Sequence, residues 1–310
     1  MAYELIYTSA ERGLRPGTRG FCTVAHTQGM PPQQIQLLEA LSAYKNLYSV
    51  HDAQEKAEPI AWSHITSNLV GRSASIVSRV GATVADHTGR SNKLAHHVLI
   101  QQRERPLGGP AWLCQQAGFL REMWDEQPHL ISEMKEIPTG DYDAAPATAW
   151  EALTGDPAYA AFLPNAFKTG GDAVTVIAFA PGTDMLALIS ESLALLEPSL
   201  RWNVTFSTYF TQLAVGATCS WRCCIADSET LRDARRNPRI TILDLTAPLP
   251  PVPTGPLAEL ARTGLRPTTP RIQVTPPPEQ DKPKKFILMG NRNINQLTLK
   301  PRNLGGSPKK

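Results

Sequence analysis

The sequence predicts an α+β fold in three parts: a mainly antiparallel amino-terminal sheet domain with helices over 1–140, a second, smaller α/β domain over 141–246, and a disordered, proline-rich basic tail over 247–310. Three observations predict it. Between Ile60 and Gln101, short β-rich runs are separated by turn residues, the pattern of an antiparallel sheet. From Ala173 to Leu245, segments follow the order β-α-β-β-α-β, compatible with a split β-α-β unit or a small three-layer α/β domain. Beyond Thr246 proline is dense and large apolar residues are scarce, so the segment cannot bury enough surface to offset its ordering entropy.

The elements follow in order. "YELIYTS" from Tyr3 and "GFCTVAH" from Gly20 are two short strands rich in aromatic and β-branched residues. "PPQQIQLLEALSAY" begins on Pro31 and Pro32 and repeats Ile35, Leu38, Leu41 and Tyr44 at helical spacing. "IAWSHITS", "ASIVSRVGATVAD" and "KLAHHVLIQ" are the antiparallel strands, and a helix-like stretch bearing Trp112, Trp124 and Trp150 runs to about residue 169. In the second domain "AVTVIAFA" is a strand, and a helix capped by Thr183 or Asp184 stops at Pro198. "WNVTFSTYF" and "SWRCCIA" are strands, "DSETLRDARR" is a helix capped by Asp227 or Ser228, and "RITILDL" is the last strand. The first of these strands and "WNVTFSTYF" are expected as a parallel pair.

Charge divides the chain. Residues 247–310 hold six lysines and five arginines against Glu259, Glu279 and Asp281, a net +8, which leaves the first 246 residues at −5 within a total of +3. No apolar run approaches the ~20 residues of a membrane span, and the amino terminus lacks a secretory pattern, so a cytoplasmic location is expected. Five cysteines without repeating spacing read as reduced, buried thiols. Cys223 and Cys224 point to opposite faces of a strand, so no metal site is assigned, and no cofactor motif is present.

Two clusters carry candidate chemistry. The loop "ERGLRPGTRG" places Arg12, Arg15 and Arg19 beside Gly17 and Gly20; guanidinium forks suit phosphate or carboxylate, although the loop enters a strand and lacks the lysine of a Walker loop. Its other reading is a hairpin connection with solvated arginines. His64, Asp86, His87 and His96 form the alternative, a hydrolase or nucleotide-binding site, which needs strands to bring base and carboxylate together. His96 and His97, being adjacent on a strand, cannot both face one site. The basic tail offers a third reading, nucleic-acid tethering by Coulomb attraction, without the aromatic residues that stack bases.

The stretch "YELIYTSAERGLRPGTRGFCTVAHTQGMPPQQIQLLEALSAY", with Tyr7-Thr8-Ser9, Gly20-Phe21-Cys22-Thr23-Val24 and Gly29-Met30-Pro31, resembles the amino-terminal domain type 2 of the bacterial GTPase-associated protein 1 family. "GRSNKLAHHVLI", "LRWNVTFSTYF" and "CSWR" are similar to further parts of the same proteins, including their middle region. The resemblance implies a non-enzymatic adaptor or scaffold that binds a GTPase or another protein of the same prokaryotic conflict or defence system, and it implies no catalytic residues.

Overall fold

The computed structural model describes residues 2–48, 58–69, 72–169 and 174–266. Strands β1 (Tyr3–Ala10) and β2 (Gly20–Thr27) precede helix α1 (Pro32–Leu41), then come β3 (Ala61–Leu69), β4 (Arg72–Thr83) and β5 (Asn92–Ile100). The stretch expected as helix-like is helical at α2 (Pro110–Cys114), α3 (Thr148–Thr154), a 3-10 turn at Pro157–Ala161 and α4 (Phe162–Thr169), but residues 115–147, Trp124 among them, are turns and extended chain with the short strand β6 (His129–Ile131). The remaining elements are β7 (Thr175–Phe179), α5 (Met185–Ala194), α6 (Pro198–Arg201), β8 (Phe206–Ser207), β9 (Ala217–Thr218), β10 (Trp221–Ile225), α7 (Glu229–Arg236), β11 (Thr241–Asp244) and α8 (Pro256–Thr263).

Among the described residues all eleven strands join one sheet, ordered β11-β7-β10-β8-β3-β4-β5-β1-β2-β6, with β9 added beside β3. β3, β4, β5, β1 and β2 each run antiparallel to the next, whereas β11, β7, β10 and β8 are parallel. The two blocks meet where His64 of β3 pairs antiparallel with Phe206 of β8. β10 lies between β7 and β8, so β7 and β8 are parallel without being neighbours: the crossover is a split β-α-β, not an adjacent pair. Asp184 caps α5 by accepting the Ala187 N–H at 3.1 Å, and Ser228 caps α7 by accepting the Leu231 N–H at 3.3 Å.

Helices cover both faces. On one face, Val77, Val98 and Ile100 of the antiparallel block share a core with Ile177, Phe179, Trp150 and Ile189 of the other half, so the expected domains have a core in common. On the opposite face α1 lays Ile35 and Leu38 over Leu5, Ile76 and Leu99, and α7 lays Leu231 and Ala234 over Val176 and Cys224. Burying each large apolar side chain contributes roughly 2 kcal/mol. Cys223 faces the first core and Cys224 the α7 side, and all five cysteines are buried free thiols.

Arg201, 1% exposed, fastens the halves. Its guanidinium donates to the carbonyls of Ala194 and Leu196 past α5 and to that of Leu107 at 3.0 Å, and it pairs with Asp141 at 3.3 Å. Gly109 passes so close, at φ +90°, that a Cβ there would meet the Arg201 side chain at 3.0 Å.

The disordered tail expected from 247 is corrected for 247–266. α8 begins on Pro256, ends at left-handed Gly264 and buries Ala258, Leu260 and Ala261 against the body. Ala147 N–H donates to Ala261 O at 2.8 Å, and Arg262 grips Asp156 through two nitrogens. Residues 267–310 lie outside the described residues.

Candidate functional site

The glycine-arginine loop joins β1 to β2 and is closed by its own backbone: Gly13 N–H donates to Thr18 O and Leu14 N–H to Thr23 O, each at 2.9 Å. Gly17 and Gly20 take φ of +80° and +70°, a conformation side chains with a Cβ resist, so both glycines serve the turn. Arg12, Arg15 and Arg19 are exposed, and none forms an ion pair with a described residue. Arg15, Gly17 and Arg19 rim a hollow of about 380 Å³ whose floor is Tyr7, Phe21 and Glu39.

α1 is only ten residues long and covers this sheet face at Leu5 and Leu99, so no described helix covers the other end of β1, β2 and β5. There Tyr7 and Phe21 stack at 6.5 Å with planes 8° apart, and Lys93 Nζ lies 5.0 Å from the Phe21 ring and 6.0 Å from Tyr7. Phe21 is 48% exposed. Burial lowers the Lys93 ammonium from its ordinary value. A second hollow of about 290 Å³ opens on the far side of Phe21, beside Tyr44 and Asn92. The site is a raised aromatic pair between two hollows, framed by cations. Phe21, Tyr7 and Lys93 escaped the sequence reading; the alternation of "GFCTVAH", which sends Cys22 and Val24 inward and Phe21 outward, is the signal that points to Phe21.

The histidines are placed otherwise. His64 is fully buried: Nδ1–H donates to Val204 O at 2.7 Å, and the Ser75 hydroxyl donates to Nε2. Burial pushes its pKa down to about 4. His96, also buried, donates through Nε2–H to Glu4 Oε2 at 2.8 Å and accepts the Arg121 N–H on Nδ1 at 2.8 Å, so it is neutral; burial lowers it. Burial also works to raise Glu4, but the hydrogen bond from His96 and the Lys135 ammonium at 3.1 Å outweigh it and hold the carboxyl at about 2. His97 faces the opposite side of the sheet, accepting from Ser78 Oγ at 2.7 Å and donating to Ser42 Oγ at 2.8 Å. Burial takes it down to about 3.

Asp86 and His87 sit in the turn after β4. One Asp86 oxygen accepts from Thr88 and from the Arg90 N–H, the other from Ser9 Oγ at 2.9 Å, and those bonds hold it well below the usual carboxylate range. His87 is exposed. His64 and His96 are two strands and two residues apart, on the order of 10 Å. The structure therefore does not bring His64, Asp86, His87 and His96 together. Among the described residues no helix is long and apolar enough to cross a membrane, and no group of His, Cys, Asp or Glu side chains is arranged to hold a metal ion.

Comparison with curated proteins and with solved structures found no match. Two family models do match: GTPase-associated protein 1, N-terminal domain type 2, over residues 1–139, and GTPase-associated protein 1, middle domain, over residues 147–247. The first ends just before the helical stretch enters α3, and the second takes in the whole parallel block. With most of its length matched by these two models, the chain belongs to the GTPase-associated protein 1 family.

Proposed function

We propose that this chain is a non-enzymatic adaptor that acts in the cytoplasm and binds a GTPase, or an effector associated with one, in a prokaryotic conflict or defence system. The family's name supports the GTPase as partner. The observation that carries the reading is the half-exposed Phe21 stacked on Tyr7 beside Lys93, next to arginines that pair with no described carboxylate. Aromatic and arginine side chains dominate binding energy at protein interfaces, and the occupant this surface suits is an acidic face of the partner. Arg12, Arg15 and Arg19 steer that face in, and Phe21 provides the apolar anchor.

The histidines support a scaffold rather than an active site, because each buried ring spends both nitrogens on internal hydrogen bonds. The test is co-purification with a GTPase from the native host. Phe21→Ala with Arg15→Ala and Arg19→Ala is expected to weaken capture by roughly tenfold or more while the melting temperature holds. Unchanged capture sinks the docking face. A chain ending at residue 266 serves as a parallel arm: retained GTPase capture supports the face, and capture lost with the tail overturns it. Salt-sensitive nucleic-acid binding that disappears in that arm would favour tethering instead.

A further inference from the structure

The parallel half contains an arginine in a place sheets normally reserve for apolar side chains. Arg222 lies on β10, between β7 and β8, opposite Val176 and Ser207. Its neighbour two residues on, Cys224, packs under α7, so Arg222 projects on the α7 face of the sheet. Nε donates to Cys219 O at 3.0 Å, and the guanidinium lies 4.8 Å from the Phe210 ring. No described carboxylate pairs with it. A half-buried cation on an interior strand without a counter-ion is costly unless something anionic reaches it.

The space to reach it is there. Arg222, Val176 and Phe210 line a groove of about 480 Å³ along α7, whose helix side carries Glu229 and Asp233, the latter paired with Arg236. Through Phe210, Thr211, Glu229 and Thr230 it continues into a second lobe of about 600 Å³, walled by Tyr44 and Tyr209 at the carboxyl end of β10. This is also where the connections diverge. The chain leaves β7 by α5 on one face and β10 by α7 on the other, and open α/β sheets bind ligands in the crevice beyond such a switch. From Arg222 to Ile225 at the strand's end is about 10 Å. The groove thus offers a planar cation at one end and aromatic walls at the other.

We infer that this groove binds a small organic phosphate of the nucleoside monophosphate class, its phosphate on the Arg222 guanidinium and its ring against Tyr44 and Tyr209. A guanidinium fork matches phosphate oxygens two at a time, and the lobes are of the volume small-ligand pockets have. The exposed carboxylate of Asp227 lies at the rim of the lobe and that of Glu229 at the junction of the two, where sugar hydroxyls would donate to them.

The test is calorimetric titration of the full chain with GMP and AMP, alongside inorganic phosphate and guanosine. Binding of a monophosphate, weakened at least tenfold by Arg222→Gln and less by Arg222→Lys, is the expected result. Thr230→Glu adds a third carboxylate to the helix side of the groove, beside Glu229 and Asp233, and is expected to weaken binding as strongly, so it carries the test if Arg222→Gln loses its cooperative melt. No binding at millimolar ligand, or binding indifferent to both substitutions, overturns the assignment. Phosphate alone binding as tightly as GMP overturns the ring-bearing ligand.

Discussion

His96 and Glu4 meet at 2.8 Å between Nε2 and Oε2, with the second ring nitrogen already accepting the Arg121 N–H. Protonating the ring would turn that acceptor into a donor facing a donor, so the fold admits only the neutral form. At His64 and His97 the accepting nitrogen faces a serine hydroxyl that can turn to accept, and burial is what keeps the ring neutral, down to about 4 and about 3, against an ordinary value of 6.5. Below pH 6.5 the unfolded chain binds these protons and the folded one does not. Stability is therefore full above pH 6.5 and falls steadily toward pH 4, by on the order of 1 kcal/mol per pH unit for each of His64 and His97, with His96 adding in the same direction. Glu4, held near 2, adds its own loss below about pH 4.5. Urea melts between pH 7.5 and 4.5 check this; a flat profile would contradict it.

Ser42, at the end of α1, accepts from His97 Nε2–H and donates to Leu38 O at 2.9 Å. Ser42→Ala leaves a buried ring N–H without an acceptor. A loss of about 1–3 kcal/mol is expected in chemical denaturation, and His97→Leu, which removes the ring N–H but strands the buried Ser78 hydroxyl that donated to the ring, is expected to cost at least as much.

Arg201→Met keeps the volume and strips the donors from the carbonyls of Leu107, Ala194 and Leu196. The expected cost is on the order of 3 kcal/mol. The exposed Arg235, paired with Asp244 at 2.8 Å, is the control: Arg235→Met is expected to change stability by well under 1 kcal/mol.

Residues 247–266 behave as part of the body. A chain ending at 266 is expected to melt where the full chain does. One ending at 246 loses α8, bares the turn at Ala160 and Ala161, and is expected to melt roughly 5 °C or more lower. Equal melting of the two truncations would show that α8 adds no stability.

Segments that carry their own periodicity were legible. β1 to β5, α1, α5 and α7 each repeat apolar residues at the spacing their geometry needs, over eight or more residues. β8 and β9 pair over two residues each and β6 over three, and they exist as strands because β10, β3 and β2 supply the hydrogen bonds. α8 was hidden in a proline-rich stretch, although Pro256 at its start and Gly264 at its end are the ordinary helix boundary signals. The arginine loop was legible as a cationic turn. Its aromatic floor was not, since Tyr7, Phe21 and Lys93 come from three strands and meet only through the register of β5, β1 and β2.

By itself the sequence determined the strand-rich first half, the alternating second half, the cationic loop and the family resemblance, because each is written in neighbouring residues. Tertiary structure alone decided that one sheet and one shared core span both halves and that the histidines stay apart. It also decided that the half-exposed Phe21 lies stacked on Tyr7 beside the arginines. Each of these depends on which distant backbones hydrogen-bond and in what register, which local spacing does not encode.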